Sequence, residues 1–348
     1  MYALRISKII PQPNNNITFQ LEPLAGNYPP YKAGQFITLS FLFGDREVRR
    51  SYSFNSSPDY DEPLSITVKR VENGEISRLL HHQVAEGDIV QAMEPQGLFT
   101  YEPEPHQVRT LFLFAAGIGI TPLYSILKTA LLVENSSKIV LVYSNRAAEQ
   151  TPFREELEQW AIQYPDRLTI VWIYSNSKYL MKARLNRDYI LAIVKDHLVG
   201  VAEDALFYTC GPVICMDLCR FTLLGMGFES SQIKRETFLL PENEEDDDDE
   251  TEREVDMTSY QIKLHFQGKT YELEVPYNKS ILDVGLDHKI KLPYSCKSGM
   301  CSTCISQCVK GKVRMDYNEV LTDREVENGR VLLCTGHPIE NDTEIEVF

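Results

Sequence analysis

The sequence predicts a multidomain protein in which an antiparallel β-barrel is followed by a doubly wound α/β domain and then by a small cysteine-rich domain. Three observations predict this order. Short β-type segments fill the chain up to about residue 103, apolar strands alternate with amphipathic helices up to about residue 240, and cysteines are concentrated after residue 295. With 348 residues, 43% of them hydrophobic, the chain is long enough to form two or three separate cores.

Residues 1–103 are expected to form the barrel, because β-type segments recur there at short intervals with turn residues between them. One helix is predicted, over the segment GEISRLLHHQV. The six candidate strands are YALRISKII, ITFQLEP, QFITLSFL, RSYSF, LSITVKR and DIVQAM.

Residues 104–240 are expected to form the α/β domain. The segment VRTLFLFAA is apolar almost without interruption, which is typical of a strand buried on both faces of a parallel sheet. Behind it, Leu123, Ile126, Leu127 and Ala130 recur at helical spacing. The strand pattern is repeated, with helical stretches between, in KIVLVYS, LTIVWIYS and ALFYT.

Residues 241–256 contain eleven acidic residues and one arginine, and so carry ten of the fifteen net negative charges of the chain. This composition is typical of a solvated linker, and we expect it to act as a tether; an acidic docking tail for a basic partner is the alternative. Residues 257–348 are expected to form the third domain. It begins with a predicted hairpin over Gln267–Gly268 and a short predicted helix over ILDVGLDHK.

The composition argues against several classes of function. No basic patch is visible that could neutralise phosphates, so nucleic-acid binding is disfavoured. No apolar run approaches the roughly 20 residues of a membrane helix, so membrane insertion is not expected. The first residues lack the pattern of a secretory signal, and we expect the protein to be cytoplasmic.

Four cysteines have the spacing C-x4-C-x2-C-x29-C: Cys296, Cys301, Cys304 and Cys334. Three thiolates on one loop and a fourth from a distant strand can together hold two irons. The small residues in CKSGMCSTC leave backbone N–H groups free to point at the sulfurs. A structural zinc site is the alternative, but such sites usually contain two C-x2-C pairs and this chain has one. The spacing therefore favours a [2Fe–2S] cluster with these four ligands.

A flavin needs an aromatic face, a hydroxyl near its reactive nitrogen and a cation for its pyrophosphate. Arg50, Tyr52 and Ser53 supply these three residue types on one candidate strand. Gly74 and Ser77 lie at the start of the predicted helix that follows, where backbone N–H groups can bind the same pyrophosphate. Each residue alone is unremarkable in a strand or turn, but the set in this order indicates a flavin site.

A nucleotide site is indicated by GIGITP, between a buried strand and an amphipathic helix. Gly117 and Gly119 let the backbone approach a phosphate, and Thr121 with the helix N-terminus can bind it. The third glycine of the dinucleotide fingerprint is absent.

Cys210 and Gly211, in the segment CGP, follow a later strand at the carboxyl edge of the sheet. There Cys210 can contact a nicotinamide; a buried cysteine at a strand end is the alternative.

These motifs resemble those of the ferredoxin–NADP reductase superfamily, in the subclass that carries a plant-type ferredoxin domain at its C-terminus. RSYS is similar to its flavin motif, GIGITP to its nucleotide motif, CGP to its nicotinamide-proximal motif and CKSGMCSTC to the plant-type ferredoxin pattern. Phe238, in RETFLLP, resembles the aromatic residue that covers the flavin ring in related reductases. The similarity covers essentially the full length and extends to the reductase components of phenylacetyl-CoA epoxidases, and the reductase of hybrid cluster protein has a similar layout. The long acidic linker is a departure from the pattern.

The resemblance implies a β-grasp fold for residues 257–348 and electron transfer from NAD(P)H through a flavin to a [2Fe–2S] cluster. The segment with Gly74 and Ser77 favours FAD over FMN. Ser53, Cys210 and Phe238 are the expected catalytic residues, near the flavin nitrogen, near the nicotinamide and over the flavin ring. The expected partner is a terminal oxygenase or hydroxylase docking on the ferredoxin domain. A non-oxygenase acceptor, such as hybrid cluster protein, stays open, as does a non-catalytic redox sensor, against which the complete RSYS and GIGITP motifs argue.

The resemblance also bears on the choice of nucleotide. In NADPH-using members, arginines at positions resembling Arg146 and Arg184 hold the 2′-phosphate. Asn176 stands where a third arginine would be expected. We therefore expect NADPH, with modest selectivity over NADH; the alternative is that both arginines are solvated surface residues.

Overall fold

The computed structural model describes residues 1–44, 46–60, 63–179, 183–238 and 258–348. The chain divides into two compact units, Met1–Phe238 and Leu239–Phe348. The acidic segment 241–256, expected to be a tether, lies outside the described residues. Within the described ranges, no helix combines the length and the apolar composition needed to cross a membrane.

The first unit begins with a six-stranded antiparallel sheet and one helix. The elements are β1 (Tyr2–Gln12), β2 (Asn16–Pro23), β3 (Phe36–Phe43), β4 (Arg46–Ser53), β5 (Leu64–Lys69), α1 (Glu75–His82) and β6 (Ile89–Ala92). The strand order is β4-β3-β6-β1-β2-β5. A bridge between Phe54 and Ile66 joins the two edges, so the sheet curls towards a barrel. The predicted antiparallel fold is confirmed.

The period-two pattern of these strands determines which side chains fill the barrel. Residues two apart point to the same face of a strand, and only one face of this sheet is turned inwards. The buried core accordingly contains alternate residues from each strand, including Leu4 and Ile6, Phe19 and Leu21, and Ile37 and Leu39.

The second part of the unit is a five-stranded parallel sheet covered by helices. Its elements are β7 (Thr110–Ala116), α2 (Ile120–Val133), β8 (Lys138–Asn145), α3 (Arg154–Gln163), β9 (Leu168–Tyr174), α4 (Arg187–His197), β10 (Leu206–Cys210), α5 (Val213–Gly225) and β11 (Ile233–Glu236). The strand order is β11-β10-β7-β8-β9. Leu111 and Leu113 of β7 pack into the core on one face, whereas Phe112 and Phe114 pack into the core on the other. The predicted doubly wound arrangement is confirmed.

The order of strands locates the ligand crevice. The chain winds from β7 towards β8 and β9 on one side, and then returns to place β10 and β11 on the other. The direction of winding therefore changes between β7 and β10, and in doubly wound folds the ligand crevice lies outside the carboxyl ends of the strands at such a point. GIGITP follows β7 and CGP follows β10.

The second unit is a mixed sheet with a short helix over it. Its elements are β12 (Tyr260–Phe266), β13 (Lys269–Val275), α6 (Ile281–Asp287), β14 (Ile305–Lys310), β15 (Val313–Met315), α7 (Asp323–Glu327), β16 (Arg330–Leu332), β17 (Gly336–Pro338) and β18 (Thr343–Val347). The larger sheet has the order β13-β12-β18-β14-β16, and β15 pairs with β17. Gln267 and Gly268 turn the first hairpin with φ of 50° and 73°, as a two-residue turn of type I′ requires. The hairpin and the helix α6 were both predicted.

A buried ion pair links the end of the barrel segment to the parallel sheet. The fully buried carboxylate of Glu134, just after α2, accepts hydrogen bonds from the Arg109 guanidinium and from the backbone N–H of Glu104 (3.0 Å). Arg109 also donates to the Glu102 carbonyl (3.1 Å) and the Tyr101 hydroxyl (3.3 Å). Burial raises the pKa of Glu134, but the hydrogen bonds from Arg109 and Ser137 outweigh it, so the pKa lies below its usual value. The carboxylate is thus ionised and paired.

We expect Glu134→Gln to destabilise this domain by about 3–5 kcal/mol, because it leaves the Arg109 charge buried without its counter-ion. The only two tryptophans of the chain, Trp160 and Trp172, lie on α3 and β9, so tryptophan fluorescence during urea unfolding reports on this domain. Glu158→Gln is the matched control, since Glu158 pairs with Arg154 on the exposed surface of α3 and its loss should cost less than about 0.5 kcal/mol. An equal loss of unfolding free energy in the two variants would contradict a buried ion pair between Glu134 and Arg109.

Candidate functional site

The end of β4 presents the residues expected to hold the flavin. Arg50 and Tyr52 are two residues apart and so lie on the same face of the strand, with Arg50 exposed and Tyr52 half-buried. Ser53 lies on the opposite face, is buried, and is paired with Phe36 of β3. Burial raises the pKa of the Tyr52 phenol far above its usual value, so the ring stays neutral. An aromatic ring and a guanidinium on one face fit a flavin ring and its pyrophosphate.

The helix α1 supplies the second part of this site. Gly74 is its N-cap, and no side chain caps the first N–H groups. A Cβ on Gly74 would lie 2.5 Å from the Ser77 hydroxyl and 2.9 Å from the Val71 Cβ, so a side chain is excluded at this approach. The Ser77 hydroxyl accepts from the Val71 N–H (3.1 Å) and donates to the Gly74 carbonyl (3.2 Å). Ser77 therefore shapes the turn, while the backbone N–H groups of α1 are the donors left for a phosphate.

The segment after β4 is attached to the helix that begins at the nucleotide motif. The Ser57 and Thr129 hydroxyls are 2.6 Å apart and both residues are buried. Thr129 lies on α2, and α2 starts directly after Gly119. The hydrogen bond thus connects the segment that follows β4 with the helix α2 of the α/β domain.

Two glycines bring the ends of β7 and β10 together. A Cβ on Gly119 would lie 2.2 Å from the Cys210 carbonyl oxygen, and one on Gly211 would lie 2.8 Å from the Ala116 Cβ. Gly117 adopts φ of 55°, a left-handed conformation that favours glycine, and its carbonyl accepts from the Tyr143 hydroxyl (3.0 Å). The predicted motif residues from the two strands therefore meet at one edge.

The Thr121 side chain is turned towards its own loop. Its hydroxyl donates to the Ile118 carbonyl at 3.1 Å, and the residue is buried in the first turn of α2. The hydroxyl oxygen can still accept a hydrogen bond, but the donors directed at a phosphate would be the backbone N–H groups of the turn.

At the same edge, Cys210 lies beside a carboxyl group. Cys210 and Glu236 are register partners in the parallel pair β10–β11. Burial, and then the neighbouring Glu236, raise the pKa of the Cys210 thiol well above its usual value. Burial alone raises the pKa of Glu236 to about 8. At neutral pH the pair is thus a thiol and a carboxylic acid, both able to donate hydrogen bonds.

Sequence reasoning missed Glu236. A single glutamate in the segment RETF looks like a solvated residue near a strand end. Its position beside Cys210 follows from the pairing of β10 with β11. That pairing joins Cys210 to Glu236, which lie 26 positions apart along the chain. The available signal was its place, two residues before the expected flavin-covering aromatic.

Phe238 follows β11 by two residues and is 42% exposed. Because β11 runs parallel to β10, the chain leaves the sheet at the same carboxyl edge that carries Cys210. An exposed aromatic ring at this edge is available to cover a flat ligand.

The two arginines expected at the 2′-phosphate are exposed. Arg146 follows β8, and its carbonyl accepts from the Asn176 N–H at 3.1 Å, which places the ends of β8 and β9 side by side. Arg184 precedes α4, whose N-cap is Asn186. Neither arginine takes part in an ion pair with another described residue.

In the second unit the four predicted ligand cysteines come together. Cys296 and Cys301 lie on the loop before β14, Cys304 directly precedes β14, and Cys334 lies in the turn after β16. The pairing of β14 with β16, closed by a hydrogen bond from the Leu333 N–H to the Cys304 carbonyl (3.2 Å), joins the distant residue to the loop. The four thiols are neighbours: Cys296 interacts with Cys301 and Cys334, and Cys334 interacts with Cys304.

The surroundings of these thiols suit an anionic iron–sulfur cluster. The Ser298 N–H donates to the Cys296 sulfur (3.4 Å), and the Gly299 N–H donates to the Cys334 sulfur (3.3 Å). The Ser298 hydroxyl oxygen is buried and has no hydrogen-bond partner among the described residues, as expected of a donor whose acceptor belongs to a bound group. Across the described part of the chain, no three His, Cys, Asp or Glu side chains are arranged to hold a single metal ion. Backbone N–H donors at two of the sulfurs, with a single C-x2-C pair among the four cysteines, suit a [2Fe–2S] cluster better than one structural zinc.

Three family models match the chain in the order of its domains. An oxidoreductase FAD-binding domain matches residues 13–101, an oxidoreductase NAD-binding domain matches residues 113–220, and a 2Fe-2S iron–sulfur cluster binding domain matches residues 264–338. The cofactors are accordingly FAD, NAD(P)H and a [2Fe–2S] cluster.

Individual relatives extend over nearly the whole chain. A component of the 1,2-phenylacetyl-CoA epoxidase of Escherichia coli K12 is 30% identical, over 99% of this chain and 97% of its own length. The ferredoxin reductase component of 3-ketosteroid-9-alpha-monooxygenase from Rhodococcus rhodochrous is 33% identical, over 91% of this chain and 88% of its own. Among solved structures, phthalate dioxygenase reductase superposes with a TM-score of 0.62 at 25% identity, covering 99% of this chain and 97% of that one. From these full-length matches, the chain belongs to the NAD(P)H-dependent reductases of the ferredoxin–NADP reductase superfamily that end in a [2Fe–2S] ferredoxin domain.

Proposed function

We propose that this reductase takes electrons from NADPH, passes them through FAD to a cluster bound by Cys296, Cys301, Cys304 and Cys334, and delivers them to a terminal oxygenase. The observation that carries the proposal is the group of four neighbouring thiols, with backbone N–H donors directed at the sulfurs of Cys296 and Cys334. Because the relatives named above are parts of an epoxidase and of a monooxygenase, an oxygenase is the partner we favour.

FAD supplies the conversion between a hydride, which carries two electrons, and the single electrons that a [2Fe–2S] cluster accepts. The residues of the chain bind, orient and shield. Arg50 and the N-terminus of α1 would hold the pyrophosphate, and Tyr52 and Ser53 would contact the ring. At the nucleotide edge, the backbone N–H groups of the turn from Gly117 to Thr121 would hold phosphate.

Cys210 and Gly211 would form one wall of the nicotinamide pocket, and Phe238 would cover the flavin ring when no nicotinamide is bound. Holding the two rings in contact is the main contribution of the protein to hydride transfer. Glu236 keeps a proton on its carboxyl at neutral pH, so the nicotinamide side of the site carries no extra negative charge.

The ligand set is tested by Cys304→Ala, which removes one sulfur and offers no replacement oxygen. Purified wild-type protein should contain about one FAD, two irons and two labile sulfides per chain. The variant should lose iron and sulfide but keep FAD and its reduction by NADPH, because the two units are separate compact bodies. Cys308→Ser, four residues further along β14, is the control and should keep both irons. Zinc without labile sulfide in the wild type would overturn the proposal.

The nucleotide preference is tested by Arg184→Ala and Arg146→Ala. Each removes a charge-assisted contact to the 2′-phosphate, so kcat/KM for NADPH should fall about tenfold or more while the NADH value is unchanged. Lys195→Ala, at the opposite end of α4, removes an equally exposed charge and should change neither value. The proposal fails if the wild type prefers NADH or if Arg184→Ala leaves the NADPH value intact.

Glu236→Gln tests the carboxyl beside Cys210. Between the ordinary value of 4.5 and about 8, folded protein holds a proton that unfolded protein has lost, so stability should fall as pH rises through this window. The glutamine variant cannot ionise at this position. The fall of its unfolding free energy with rising pH should therefore be smaller than in the wild type, by at most about 1.4 kcal/mol per pH unit. The pH profile of kcat/KM for NADPH should also lose its inflection near pH 8.

Urea unfolding followed by tryptophan fluorescence, between pH 5 and 9, measures the stability effect. Glu203→Gln, an exposed carboxyl of the same domain, is the control and should leave the slope unchanged. Identical slopes for wild type and Glu236→Gln would show that Glu236 ionises as an ordinary solvated carboxyl.

A further inference from the structure

A short segment of the second unit crosses the cysteine loop. Residues 316–319, which follow β15 and are called the strap below, are hydrogen-bonded to both parts of the chain that supply cysteines. The Asp316 N–H donates to the Thr335 carbonyl (3.0 Å), and the Thr335 hydroxyl donates to the Tyr317 carbonyl (2.8 Å). The Glu319 N–H donates to the Gly299 carbonyl (3.1 Å). The strap therefore joins the turn that carries Cys334 to the loop that carries the other three cysteines.

The strap lies directly against Gly299. A Cβ at this position would be 2.4 Å from the Tyr317 carbonyl oxygen, and the φ of 72° is itself a glycine conformation. Gly299 accepts from the strap through its carbonyl and donates through its N–H to the Cys334 sulfur at 3.3 Å. The position of the strap thus decides where this N–H points.

The strap is held in one conformation by its own side chain. The Asn318 carboxamide oxygen accepts from the N–H groups of Val320 (3.1 Å) and Leu321 (2.8 Å), and its nitrogen donates to the Leu321 carbonyl (2.9 Å). Thr335 is buried, so its hydroxyl bond to Tyr317 is shielded from water. The strap is therefore a preorganised part of the fold.

We propose that the strap sets the reduction potential of the cluster by aiming the Gly299 N–H at the Cys334 sulfur, with Thr335 as the positioning residue. An N–H bond to a cluster sulfur stabilises negative charge there, and the reduced cluster carries one more negative charge than the oxidised one. Strengthening the bond therefore raises the potential, and weakening it lowers the potential. This inference rests on the proposed ligand set.

The test is a redox titration of full-length protein followed by electron paramagnetic resonance of the reduced cluster. Thr335→Val keeps the shape of the side chain and removes the hydroxyl that holds Tyr317. Its midpoint potential should move to a more negative value than that of the wild type. Thr335→Ser restores the hydroxyl and should return the potential to the wild-type value.

Thr343→Val is the matched control. Thr343 is also buried, and its hydroxyl also donates to a backbone carbonyl, that of Glu340, at 2.8 Å. Thr343 lies at the start of β18. The opposite end of that strand, at Val347, is the end that pairs with β14 near Cys304. Loss of this bond should lower stability as much as Thr335→Val does, but leave the potential unchanged.

The outcomes separate the two proposals. A wild-type protein without a two-iron signal would overturn the ligand set itself. The role of the strap alone would be overturned if the wild type shows a normal cluster signal and the midpoint potential of Thr335→Val equals that of the wild type. An equal shift of the midpoint potential in Thr343→Val would overturn it too. Partial loading of Thr335→Val with the cluster does not change the measured potential, because electron paramagnetic resonance detects only molecules that hold the cluster. Complete loss of the cluster in that variant, with retention in Thr335→Ser and Thr343→Val, would support the positioning role.

Discussion

The nucleotide-binding edge depends on how closely the end of β10 approaches the turn after β7. Gly119 lies so near the Cys210 carbonyl, and Gly211 so near Ala116, that a Cβ at either position would overlap its neighbour. A side chain at either glycine would separate two adjacent strands at the point where the winding of the sheet changes direction. That point is also where a fold of this class binds its ligand. The packing of the two strands therefore requires glycine at both positions.

This close approach removes polar groups from most of their contact with water, Cys210 almost completely and Glu236 in part. Cys210 is almost completely buried, and Glu236, its partner across β10 and β11, keeps its proton at neutral pH because of burial. A site that brings two flat rings together gains from such neutrality, since an unpaired buried charge would be costly. The buried pair of Arg109 and Glu134 meets the same requirement in another way, by pairing opposite charges where the barrel segment joins the α/β domain.

The cysteine loop has to stabilise negative charge rather than avoid it, because an iron–sulfur cluster brings negative charge into the fold. Here the protein offers N–H donors. Gly299 points one of them at Cys334, Ser298 points another at Cys296, and the strap holds the first of these in place. Small residues are needed so that the backbone, rather than side chains, can approach the sulfurs. The spacing of CKSGMCSTC therefore reflects the geometry of donors as well as of ligands.

Several parts of the site were predictable because they depend on neighbours in the sequence. Arg50, Tyr52 and Ser53 share one strand, and GIGITP spans one strand, turn and helix. Thr121, with the N-terminus of its helix, was expected to bind a phosphate; its hydroxyl donates to the nearby Ile118 carbonyl. Glu134, at the end of an amphipathic helix, and Glu236, near a strand end, look solvated in the sequence. Local pattern shows residue type and spacing, but it does not show which distant segment covers a side chain.

The sequence by itself determined the order of the folds, the strands with a period of two, the buried parallel strands and the four cysteines, because these follow from periodicity and spacing along the chain. Only the tertiary structure decided that the glycines of two strands meet, that Cys210 lies beside Glu236, and that the strap crosses from Thr335 to Gly299. These contacts join residues tens of positions apart. Their partners are selected by sheet order and loop packing, and no short segment of the sequence encodes either.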